Sequence, residues 1–315
     1  MHDATKPLLS VRLILLFTAL ALTSCAPAPL DEFRVYREAF QDAARAGETL
    51  LDKVAPFITA VSDPAAAKRR TDCAKGGRAY PRAFCPDVAL IGDEANEANS
   101  VRARRLAYRA IGRYNAILAD FAEGKAPDQL RDQANELLAI VDLLAPIVTS
   151  SAGLPPALSL VTGKLRDVVG RIAAAQQAEA MRAGIIEGAP VVKELLGLMQ
   201  QDTADIYAVF LRSKQREADK LSDAIGDARA QGSQDTVKNL QASQAAIAAE
   251  INAFHESLGH YVRLIDKTQK ALDVLVVAAS SRPQSDLAYL RQVIAVSIDI
   301  RNEAEAFRRS LRALG

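Results

Sequence analysis

VKNLQASQAAIAAEINAFHESLGHYVRLIDKTQKALDVLVVAA, residues 237–279, is the stretch that decides the fold. Val237, Leu240, Gln244, Ile247, Ile251, Phe254, Leu258, Tyr261, Ile265, Thr268, Leu272, Leu275 and Ala279 recur there in alternating steps of three and four. That period suits one face of an α-helix and excludes a strand, whose side chains alternate with period two. Sustained over about six heptads, it reads as a coiled-coil-like seam. A similar stripe precedes it through Val192, Leu196, Met199, Thr203, Ile206 and Phe210, and resumes at Leu221, Ile225 and Ala228 after a polar stretch spaced like a stutter. Gly232-Ser233 lies between the two stripes. So short a connection implies a long antiparallel hairpin, about 60 Å at about 1.5 Å per residue.

The remaining segments read as helix too, with no convincing strand. The first is expected from Asp31, a suitable N-cap with Leu30 and Val35 as a hydrophobic staple, to about Val61, with Pro56 kinking it. The second runs from about Asp93 to Glu123, where Gly124 stops it, and the third from Pro127 to about Ser150. After the Gly153-Leu154-Pro155-Pro156 break, a fourth is expected to about Gly184. Gly188 and Pro190 would start the fifth, which lasts to about Ala230, and Ser281-Arg282-Pro283 turns the sixth into a seventh. Half of the residues are hydrophobic, yet only 5% are aromatic and none is Trp. That balance suits helices packed closely through small side chains. The expected fold class is therefore all-α: one elongated bundle of about seven helices with a long antiparallel coiled-coil-like hairpin.

The N-terminus carries an address. Lys6 and Arg12 precede an apolar run of ten residues, Leu13 to Leu22, the length of a secretory signal core and too short for a spanning helix, which needs about 20 residues. Leu22-Thr23-Ser24-Cys25 then resembles the lipobox of bacterial lipoproteins. The resemblance implies cleavage of residues 1–24, lipidation of Cys25 and, with Ala26 rather than Asp following, an outer-membrane destination facing the periplasm. Residues 25–30 would be a lipidated tether. Five residues beyond the cysteine reach less than about 20 Å when extended, which keeps the body of residues 31–315 close to the membrane. More than one acyl chain makes such anchoring durable. Removing residues 1–24 takes away Lys6, Arg12 and Asp3, leaving 37 cations against 37 anions from the 39 and 38 of the whole chain. Neutrality argues against nucleic acid as a partner, since a strongly basic domain is its footprint.

Residues 62–92 break the helical pattern. They hold Cys73 and Cys85 with Gly76-Gly77, Pro81 and Pro86 between and beside them, which in an exported chain reads as a disulfide-closed loop worth about 3 kcal/mol in the entropic model. The competing zinc reading lacks a nearby His to complete a ligand set. Between residues 68 and 113 eleven cations meet five anions. Lys68, Arg69 and Arg70, together with Arg102, Arg105, Arg109 and Arg113, which share one helix face, are candidates for contact with an anionic surface; the competing reading is a solvated face of ion pairs.

No catalytic motif emerges, and no cofactor or metal is expected. His255-Glu256-Ser257-Leu258-Gly259-His260 spaces its histidines five apart, about 140° around a helix, so it is not an HExxH zinc motif. Thr162-Gly163-Lys164 lacks the upstream glycine and following hydroxyl of a phosphate loop. The apolar pair flanking the turn in residues 137–161 resembles, in pattern only, the membrane-inserting head of helical pore-forming toxins; the competing reading makes it a buried layer of the bundle. These observations point to a non-enzymatic, lipid-anchored scaffold or binding protein of the bacterial envelope, whose partner is an envelope protein or an anionic envelope polymer. The alternative is a membrane-active or lipid-handling protein using the 137–161 hairpin.

Overall fold

The computed structural model describes residues 30–62, 99–150, 156–280 and 287–314. Among them the chain forms eight helices and no strand: α1 (Leu30–Ser62), α2 (Asn99–Ala122), α3 (Pro127–Ser150), α4 (Pro156–Ala174), α5 (Ala178–Gln201), α6 (Thr203–Ala230), α7 (Gln234–Ser280) and α8 (Leu287–Arg312). The all-α bundle expected from the periodicity is what forms.

Side-chain pairs give the direction of each helix. Tyr36 meets Asn115 while Asp52 meets Arg105, so α1 and α2 are antiparallel. Arg113 with Glu136, Asp142 with Arg166 and Glu187 with Arg171 continue the alternation through α3, α4 and α5. Glu38 with Arg301 and Asp42 with Arg308 run in the same sense, making α1 and α8 parallel. The result is two four-helix groups, α2-α3-α4-α5 and α1-α2-α7-α8, which share α2 and are joined where α5 packs on α7. The N-terminus of α1, the α2–α3 and α4–α5 turns, the C-terminus of α7 and the N-terminus of α8 therefore lie at one end. The C-terminus of α1, the ends of α3 and α4 that face each other, and the α6–α7 turn lie at the other.

Two sequence expectations are corrected. The fourth helix stops at Ala174, not near Gly184, and the fifth starts at Ala178, so that Gly184, Gly188 and Pro190 all lie inside α5. These glycines are contact points and not breaks. A Cβ on Gly184 would stand 2.8 Å from Ile172, and one on Gly188 would stand 2.6 Å from the Tyr114 ring. The helices approach too closely there for any side chain. The second correction is minor: α5 and α6 meet at Asp202, whose backbone stays right-handed helical (φ −61°, ψ −17°) and whose N–H still bonds Leu198 O at 3.0 Å. The two form one nearly continuous rod.

That rod runs antiparallel to α7 in a single register. Lys193 pairs with Asp273, Phe210 stacks on Phe254, Lys214 pairs with Glu250, and Gln244 donates to Ser222. The turn between them is made by Gly232 at φ +71°, with Ser233 N–H bonding back to Ala228 O at 3.0 Å. This is the Schellman arrangement, in which only a residue free of a Cβ sits comfortably. Gly124, at φ +79° with Lys125 N–H on Asp120 O, ends α2 in the same way.

Every residue of the 237–279 stripe is buried or half-buried. The halves of α7 differ, however. From Phe254 onward Ser257, Leu264 and Ala271 are buried as well, because α5, α8 and α2 close around the helix. Before it, Ile225, Ala228, Val237 and Leu240 form a small cluster separate from the main core. Beyond Lys214 on α6 and Glu250 on α7, which pair at 2.8 Å, the two helices bury only Ile225, Ala228, Val237 and Ile247 among the described residues. They make an arm about 25 Å long, at about 1.5 Å per residue.

Candidate functional site

The arm carries a small apolar cluster of its own, separate from the main core, and joins the body of the bundle at an aromatic root. At the root Phe210 stacks on Phe254 with ring centroids 3.9 Å apart, and Phe57 of α1 meets Phe210 edge-on at 5.2 Å. Lys214 lies over both the Phe57 and Phe210 rings at about 6 Å and bonds Glu217 (3.1 Å) and Glu250 (2.8 Å). Burial pulls its pKa down, but the hydrogen bonds it donates to Glu250 and Glu217 outweigh that and the net direction is upward. The ammonium stays charged, and a charge so paired ties the arm to α1 and α7.

About two turns of helix from Phe210 toward the other end, Arg104 of α2 reaches Asp202 at the α5–α6 joint. Nε and Nη2 donate to the two carboxylate oxygens at 2.6 Å each, and Nη1 donates to Ser100 O at 2.9 Å. Both side chains are about 9% exposed, so the fork-to-carboxylate pair works in a medium that screens it weakly. The Tyr108 and Tyr261 hydroxyls bond each other beside it; burial pushes both pKa values up, so both stay protonated. The arrangement fixes the joint from which the arm extends. Sequence reading set Arg104 aside from the arginine face, yet Val101, Arg104, Tyr108, Ile111, Asn115 and Leu118 follow the same three-four steps as the core. That register places Arg104 inward.

Of the arginine face, Arg102, Arg105 and Arg113 are half-buried and Arg109 is exposed. Arg105 pairs with Asp52 at 2.6 Å and Arg113 with Glu136, while half-buried Arg102 and exposed Arg109 flank them. Lys68, Arg69 and Arg70, both loop cysteines Cys73 and Cys85, and Cys25 lie outside the described residues. His255 faces Tyr207 at 5.3 Å, whereas His260 bonds Glu303 of α8 at 2.7 Å, so the two histidines turn to different neighbours. Glu303 also accepts from Arg263 at 3.1 Å; burial raises its pKa, but the bonds from His260 and Arg263 prevail and hold it below the usual carboxylate range. Among the described residues no group of three His, Cys, Asp or Glu is placed to hold a metal ion.

The 137–161 hairpin is divided. Leu137, Val141, Leu144 and Val161 are fully buried, and Asp142 pairs with Arg166 at 2.7 Å. Leu143 and Leu160 face outward, 52% and 63% exposed. No described helix is long and apolar enough to cross a membrane.

At the opposite end from the arm, Arg37 of α1 spans Asp120 (2.5 Å) and Glu123 (2.6 Å), Lys125 bonds Asp120 at 2.7 Å, and Gln133 donates to Asp120 at 2.6 Å. Burial raises the pKa of Glu123 despite the nearby Arg37. Two carboxylates at the C-terminus of α2 oppose its dipole, and the two cations compensate. No family model, curated protein or solved structure matches this chain, so its reading rests on this geometry and the sequence.

Proposed function

We propose that this chain is a non-enzymatic, lipid-anchored helical scaffold of the bacterial envelope, tethered through Cys25 to the outer membrane and facing the periplasm, with Cys73 and Cys85 joined in a disulfide. It would bind an envelope protein through the α6–α7 arm. One observation carries the reading: the N-terminus of α1, five residues beyond the lipidated cysteine, lies at the end of the bundle opposite the arm. α7 has 47 residues, about 70 Å of helix, which is the distance over which such an anchor and such an arm are held apart. The lipid supplies residence in the membrane, and the rod formed by α5 and α6 supplies reach.

A photo-crosslinking residue placed in the cell at Gln231 or Asn239, on the arm, should give a discrete adduct, whereas one at Asp128, in the first turn of α3 at the anchored end, should give lipid or nothing. Adducts to a protein from Asp128 alone, or none from either arm position, overturn the proposal. Cys25→Ser should also release the chain from membranes.

The exposure of Leu143 and Leu160 favours a second reading, in which the α3–α4 hairpin contacts lipid. The facing ends of α3 and α4 lie at the arm end, away from the membrane that would hold the anchor. Leu143→Asp with Leu160→Asp tests it, because both side chains are outside the core; unchanged vesicle binding in that double variant refutes it.

A further inference from the structure

From the root of the arm toward its tip, α6 carries a charged face that the rest of the chain does not answer. Arg212, Arg216, Asp219, Lys220, Asp223 and Asp227 are all exposed, and none has an ion-pair partner among the described residues. Arg212 and Arg216 engage only Nε, which donates to the carbonyls of Ala208 and Arg212 at 3.2 and 3.3 Å. The signs are sorted along the helix. Arg212, Arg216 and Lys220 follow one another at four-residue steps, and so do Asp219, Asp223 and Asp227. Like charges four apart on a helix repel, so each ladder works against the helix that carries it. Other charges of the rod meet a partner: Lys193 pairs with Asp273, and Lys214 with Glu217 and Glu250. The two ladders do not, and they leave the face positive toward the body of the bundle and negative toward the Gly232 turn.

A second copy turned end for end presents the matching order. A twofold axis passing beside Asp219 and Lys220 sets Arg212 and Arg216 of one copy opposite Asp227 and Asp223 of the other, and the reverse, so the face is complementary to itself. Two copies side by side in parallel would set like charge on like. We propose that the arm meets a second copy of this chain, held antiparallel through this face of α6. The proposal rests on the scaffold reading and names the envelope protein that the arm binds. With the twofold axis normal to the membrane, the two bodies lie at opposite ends of the pair and both Cys25 tethers reach the same leaflet. Exposed ion pairs are individually weak, so confinement to one membrane, which raises the effective concentration, is what lets the pair form.

The test uses the full lipidated chain in cells, with a photo-crosslinking residue at Gln215, which is exposed beside the face. The adduct should have twice the mass of the chain and should join copies that carry two different tags. Arg216→Glu sets acid against acid and should cut the adduct at least about fivefold, as should Asp223→Arg, which sets base against base. Both changes in one chain reverse the pair and should return the adduct to within about twofold of the wild type. Mixing the two single variants should likewise restore the adduct between differently tagged copies. The substituted side chains are exposed, and matching circular dichroism melts establish that the variants fold alike. A self-adduct that neither single variant reduces, or that the double variant does not restore, overturns the proposal. An adduct with a different protein at Gln231 or Asn239, with no self-adduct at Gln215, overturns it while the scaffold reading stands.

Discussion

Replacing Arg104 by Met isolates the worth of the buried pair at the α5–α6 joint. The change keeps most of the side-chain volume but leaves Asp202 without its two 2.6 Å hydrogen bonds, at a site where both side chains are about 9% exposed. Removing one partner of a buried pair costs about 3–5 kcal/mol, because the remaining charge stays desolvated. At about 2–4 °C per kcal/mol, the chain should melt about 6–20 °C lower. Arg104→Met with Asp202→Leu removes both charges and should recover most of that loss, since an apolar pair of similar volume is often as stable as the ion pair. Half-buried Arg102→Ala, two residues away, should cost less than about 1 kcal/mol. Thermal melts followed by circular dichroism, arranged as a double-mutant cycle, read all of these. A cost below about 1 kcal/mol for Arg104→Met, or a double variant no better than the sum of its singles, refutes the reasoning.

Gly188→Ala places a Cβ 2.6 Å from the Tyr114 ring and should destabilise by about 1–3 kcal/mol, whereas Gly163→Ala meets open space and should stabilise by about 0.5–1 kcal/mol; equal melting shifts would contradict the close-packing account. Glu303 is held below its ordinary 4.5, so its contribution to stability is present above that pH and is lost as the pH falls through the lower folded value. Glu303→Gln should therefore lower the melting temperature at pH 7 and converge on the wild type in acid; a constant gap across pH would be the contrary result. Glu123 has the opposite sign, its pKa raised by burial, so Glu123→Gln should gain stability relative to the wild type as the pH rises from 4 to 7, which urea titrations at both ends would measure. Amides of residues 216–246 should exchange with deuterium faster than those of 254–275, because the arm's own core is only Ile225, Ala228, Val237 and Leu240; matching rates would mean that the arm has a further partner.

Helix type, and most helix ends, were legible because period and punctuation agree. Gly124 before Pro127 and Gly232 before Ser233 act where the backbone needs a positive φ, and the structure uses them so. Gly184 and Gly188 carry the same letter for another reason: they let α5 approach Ile172 and Tyr114, a tertiary demand that no local pattern records. Pro190 is likewise held inside α5 by packing that outweighs its missing donor. The arginines show the same division. Spacing puts Arg105 and Arg113 on one face of α2, but their pairing with Asp52 and Glu136 depends on which helices stand beside α2, and that is set by the bundle's connectivity.

The register between the α5–α6 rod and α7 limits how the arm can change in evolution. Lys193 with Asp273, Phe210 with Phe254 and Ser222 with Gln244 bring together residue numbers that add to between 464 and 466. A deletion or insertion on one side of the Gly232 turn would slide every later pair out of step, so the arm can lengthen or shorten only by matched heptads on both sides. Each matched step changes its reach by about 10 Å. Homologues of this chain should therefore differ in arm length in paired multiples of seven residues, a spacing that alignment of their arms would reveal.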